Sequence, residues 1–76
     1  MDLTKMIQNR IYRATLEAPS MDSNQLIFAL ESTTAQITRI SMEDTTEDEV
    51  AAELYLNEQL RLIYRSELNN RLTRVG

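Results

Sequence analysis

From Thr46 to Arg74 the chain contains neither glycine nor proline, and no other feature narrows its possible folds as far. A stretch of that length with recurring leucines reads as one helix, roughly 40 Å long at about 1.5 Å per residue. Its start has the form of a capping box, Thr46-Glu47-Asp48-Glu49. There the Thr46 hydroxyl accepts from the Glu49 N–H, and the Glu49 carboxylate reaches back to Thr46. Acids in the first turn suit the positive end of the helix dipole, and the arginines crowding the last turns suit its negative end.

Two shorter helices are expected before it. Over about residues 2–18, Leu3, Ile7, Ile11, Ala14 and Ala18 recur at steps of three and four, the spacing that shares one helical face. Leu16 departs from the pattern and falls among the polar positions. Pro19 is expected to end this segment, since its ring disfavours the helical region for Ala18. The loop that follows is rich in capping types, with Asp22 and Gln25, or Ser23 alone, placed to open a second helix over about 23–42. Leu26, Leu30, Thr33, Ile37 and Ile40 form its stripe. The threonines and isoleucines there raise the strand alternative, but Ile37 and Ile40 would oppose each other across a strand and share a face on a helix.

The long helix is apolar on more than one side. Val50, Ala51, Leu54 and Tyr55 cover one side of its start, and Leu56, Leu60 and Ile63 the other. Leu60, Tyr64, Leu68 and Leu72 then step by four and wind around the axis, which argues against a simple heptad zipper. Such a helix is best satisfied between two others, with Leu54 on a central face. Short loops then give an all-α, compact, up-down-up three-helix bundle with a long C-terminal helix, a single domain over residues 1–76. If that helix overhangs its partners, Leu68, Leu72 and Val75 are left partly uncovered unless the first helix or another chain covers them. A homodimer is therefore one of the arrangements open to it.

Composition excludes much chemistry. With no cysteine and no histidine, the chain has no disulfide framework, thiol nucleophile, imidazole base or zinc-finger ligand set. The Gly-rich phosphate loop GxxxxGK[ST] is missing as well. No enzyme activity and no cofactor are expected. The five-residue run Leu26 to Leu30 is the longest clean apolar one, against about 20 residues for a membrane span. Met1 is followed by an acid, so no signal peptide is expected; a cytoplasmic protein without a membrane partner is the reading.

The net charge of −4 conceals a split. Residues 1–18 sum to +1, residues 19–58 to −8 and residues 59–76 to +3. Three groups of residues follow as binding candidates. Glu43, Asp44, Glu47, Asp48 and Glu49 serve either to cap a helix and keep it soluble, or to dock on a basic protein surface. Phe28, Ala35 and Met42, spaced by seven and off the main stripe, either pack on the loops or form a narrow apolar strip for a partner. Arg61, Arg65, Arg71 and Arg74 either complete ion pairs, with Glu58 and Glu67 in reach, or contact phosphates. Four arginines beside a net −4 would hold nucleic acid only weakly and in a salt-dependent way.

From Met1-Asp2-Leu3-Thr4-Lys5 to Leu72-Thr73-Arg74-Val75-Gly76, in overall length, in acidity and in the helical end Glu53–Gly76, the chain resembles the small accessory proteins encoded beside the UvsW helicase of T-even phages. The likeness runs through the chain without a diagnostic motif. It implies a helical protein tied to phage recombination and repair, acting in the host cytoplasm, with a helicase or recombination factor as partner. It carries over no functional residues. The expectation is a non-enzymatic accessory protein that binds a DNA-processing protein, with weak DNA binding through the arginines as the alternative.

Overall fold

The computed structural model describes residues 2–42 and 48–74, residue 74 by its backbone alone. Three helices account for nearly all of them: α1 (Leu3–Glu17), α2 (Ser23–Met42) and α3 (Asp48–Arg74). Each start that is described is set by side chains. Asp2 Oδ1 accepts from the Thr4 N–H at 3.0 Å to cap α1. At α2 the expected box is reciprocal: the Gln25 N–H donates to Asp22 Oδ1 at 2.8 Å, and the Asp22 N–H donates to Gln25 Oε1 at 2.9 Å. The capping box expected at Thr46 lies outside the described residues.

Pro19 acts later than expected. Ala18 keeps helical angles, φ −54° and ψ −43°, and its N–H still bonds to the Ala14 carbonyl. Residues Ala18–Ser20 form a 3₁₀ turn, and the chain becomes extended only at Met21. Proline has no N–H to lose in the first turn of such a segment, so it tightens the helix end instead of cutting it.

The threonines that raised the strand alternative are absorbed by the helix. The Thr33 and Thr34 hydroxyls both donate to the Leu30 carbonyl at 2.9 Å, and that of Thr38 to the Thr34 carbonyl at 3.0 Å. This local bonding lets Thr33 sit buried in the α2 stripe with no unpaired hydroxyl. The stripe itself is as expected, with Leu26 fully buried and Ile40 buried beside Thr33, while Leu30 and Ile37 are half-buried.

The chain runs up, down and up, and α3 packs against both α1 and α2 while those two hardly touch each other. A helix apolar on two sides lies between two neighbours. At 27 residues it is also the longest, against 15 and 20. The core is correspondingly slim: Ala14, Ala18, Leu26, Thr33, Ile40 and Leu60 are its buried residues. Leu54 is only half-buried, and Leu60 holds the central position on α3. The molecule measures 44 × 26 × 15 Å, so it is thin in one direction. Among the described residues, no helix is long and apolar enough to cross a membrane.

Candidate interaction surface

Because α1 and α2 flank α3 without closing over it, one face of the molecule is a groove. Its floor is Leu56, Asn57 and Tyr64 of α3, and its walls are Ala29 and Ser32 of α2 and Arg10 of α1; the open volume is about 540 Å³. Phe28 stands on its edge. The ring is 73% exposed and also borders a second hollow with Met21, Gln25 and Ala29. The helical period causes this, since Phe28 sits two residues from buried Leu26 and so on the opposite side of α2.

Ala35 and Met42 continue from Phe28 along the outer side of α2, both exposed, Met42 at 80%. The three strip residues are therefore exposed, with Phe28 bordering a hollow it shares with Met21 and Asp22 of the first loop. Met6 at 45% adds an apolar group on the α1 side, in a hollow it shares with Leu3, Ile7 and Leu56.

The groove rim carries both signs of charge. At one end Arg39 uses Nε and Nη2 to hold Gln36 Oε1, at 3.1 and 2.6 Å. Its Nη2 also lies 3.7 Å from Glu53 Oε1 across the α2–α3 seam. That pair is half exposed and worth little in energy, but it fixes where the charges sit. Arg10 borders the same groove and forms no ion pair among the described residues.

Of the acidic set, Asp48 and Glu49 are described, exposed in the first turn of α3 where the dipole favours them. Glu43, Asp44 and Glu47 lie outside the described residues. Of the arginines, Arg61 and Arg65 are exposed one turn apart and border a shallow hollow with Ile37, Glu58 and Leu62. Arg74 is outside the described side chains.

Arg71 is engaged elsewhere. Its Nε pairs with Glu67 Oε1 at 3.0 Å, the i, i+4 contact expected from spacing. Its Nη2 donates to the carbonyls of Ala18 at 3.2 Å, Pro19 at 3.3 Å and Met21, and Nη1 reaches Ser23 Oγ at 3.4 Å. Only a planar fork of donors can serve so many acceptors at once. Arg71 thus adds a donor to the Ala18 carbonyl, which already accepts from the Met21 N–H at 3.2 Å, serves those of Pro19 and Met21, and ties the first loop to the last turns of α3.

Sequence reasoning missed the groove and several exposed apolar groups. Tyr12 (67%), Leu62 (58%) and Tyr55 (52%) face solvent, although Tyr55 belongs with Val50, Ala51 and Leu54 to one apolar side of the start of α3. The misfit of Leu16, 59% exposed, was a legible sign that apolar side chains lie outside the core, as was the place of Phe28 and Met42 off the α2 stripe. Compared with known protein families, with curated proteins and with solved structures, the chain matches none.

Proposed function

We propose that this is a non-enzymatic interaction protein whose role is to bind another macromolecule, a protein that processes DNA. The observation that carries the reading is the apolar surface left open. Phe28, Ala35 and Met42 run as a strip down one helix, and large exposed apolar patches with polar rims mark interaction sites. The strip ends near the start of α3, where Asp48 and Glu49 add a negative region that suits a basic partner surface. The resemblance to the accessory proteins beside the UvsW helicase suggests a helicase or recombination factor in phage repair as that partner.

Tagged chain should capture one larger protein specifically from phage-infected cells. Replacing Met42 with Asp, together with Asp48→Lys and Glu49→Lys, should release it. If the tagged chain captures nothing, or if the triple variant captures as well as the parent, the reading fails.

A second reading has its own observation: Arg61 and Arg65 are exposed neighbours on one side of α3, a geometry that suits a phosphate backbone. Glu58 beside them and the engagement of Arg71 leave the basic footprint small. An anisotropy titration with single-strand and duplex DNA at low salt tests it. Binding should vanish on Arg61→Glu with Arg65→Glu if this reading holds.

A further inference from the structure

We infer that α1 is a hinged cover on α3: it lifts away as a unit while α2 and α3 stay packed together, and so bares the side of α3 that it shields. The inference does not depend on the interaction reading above.

The two seams of the fold are unequal. On α2 the buried residues Leu26, Thr33 and Ile40 recur every two turns, so that helix is anchored from its first turn to its last. On α1 the buried residue is Ala14, close to the end, with Ala18 just beyond it. Leu3, Ile7 and Ile11 are half-buried, and Met6, Tyr12 and Leu16 are exposed. A buried alanine methyl takes far less apolar surface out of water than a leucine or isoleucine side chain does, so undocking α1 gives up little.

The α1–α3 seam is also loosely filled. A hollow of about 470 Å³ lies between Leu3, Met6 and Ile7 on one helix and Ala52 and Leu56 on the other. A second, of about 350 Å³, lies between Ile11 and Thr15 and the facing Gln59 and Ile63. Side chains bordering such gaps lack part of the dispersion contact that a filled seam provides.

Polar ties follow the same division. The side-chain hydrogen bonds of α1 are local, from Thr15 Oγ1 to the Ile11 carbonyl at 2.9 Å and from the Thr4 N–H to Asp2 at 3.0 Å. Among the described residues, no α1 side chain forms an ion pair with another helix. Arg71 grips the turn after α1 instead, holding the carbonyls of Ala18, Pro19 and Met21 and the Ser23 hydroxyl. That grip sets the pivot at the 3₁₀ turn and stops the opening short of α2. Since α1 hardly touches α2, lifting it breaks one seam only.

Undocking then undoes α1 as a helix. Isolated helices shorter than about 12–15 residues are marginal in water, and α1 has 15. Within a fold, cooperative units open with free energies from near zero up to the global value; α1 is the unit at the low end. What it bares on α3 is Ala52, Leu56 and Ile63.

Amide hydrogen exchange of the intact chain, followed residue by residue by NMR, tests the idea. The amides from Ile7 to Glu17 should share one plateau of protection, at least about tenfold below that of Leu30 to Ile40 in α2 and of Leu56 to Leu68 in α3. Brief trypsin digestion should cut after Arg10 and Arg13 ahead of Arg39, Arg61 and Arg65, although all five are exposed. Ile7→Asp, at a half-buried seam position, should remove about a quarter of the helical circular dichroism, the share of α1 among the three helices, and leave a cooperative melt in the remainder. Equal protection in all three helices overturns the inference. So does protection that climbs steadily from Ile7 to Glu17, which is fraying, or first cleavage in α2 or α3. An Ile7→Asp chain that loses all its helix overturns it as well, because α1 then does not leave alone.

Discussion

Arg71 shows how one side chain can hold two distant parts of a small fold. Its side chain is 25% exposed, and its guanidinium serves the carbonyls of Ala18, Pro19 and Met21, of which that of Ala18 also accepts from the Met21 N–H. Arg71→Ala should therefore cost about 1–3 kcal/mol, the range for losing charge-assisted hydrogen bonds and leaving acceptors unpaired. Arg71→Lys should recover little, since an ammonium's three donors radiate from one nitrogen and cannot span Glu67 and the first-loop acceptors as the three guanidinium nitrogens do. Urea denaturation of the three proteins measures this, and full recovery by lysine would show that charge alone matters. Half of this site was legible in the sequence. The Glu67 contact follows from spacing along one helix, but Ala18 and Met21 lie some fifty positions away, and no local pattern reports a contact that only tertiary packing creates. The same limit hid the groove: the period of α2 places Phe28 off the stripe, yet whether a loop covers that side depends on how far α1 and α2 stand apart.

Among the elements, α2 and α3 differ in how they are stabilised. α2 begins with a reciprocal cap, and Asp22→Ala should cost about 1 kcal/mol by exposing the Gln25 N–H. α3 instead depends on burial at its middle. Leu60, 6% exposed, is the point where a charge should cost most. Leu60→Asp is expected to lose several kcal/mol and cooperative melting with it, and Leu54→Asp, at a half-buried site, should cost less. Thermal melts that rank the two the other way would mean the centre of the fold lies nearer Leu54. Between the elements, the exposed Arg39–Glu53 pair should hardly matter: Glu53→Gln is expected to change stability by less than about 0.5 kcal/mol. The existence of the three helices and the central place of α3 were legible because hydrophobic period and the absence of breakers act locally. The continuation of the helix through Ala18 was not, since the residue before a proline is disfavoured in the helical region but not barred from it.

At the scale of the whole molecule, two thin seams meet along α3 and little else holds the fold together. A chain with so few buried side chains has modest stability. The meagre contact between α1 and α2 has a further consequence during synthesis. Until α3 has been made, the residues before it have nothing to fold against, so the first two helices emerge from the ribosome as a nascent segment without a core. Folding must wait for the helix that comes last, and a chaperone that shields short apolar stretches would meet this protein only in that interval.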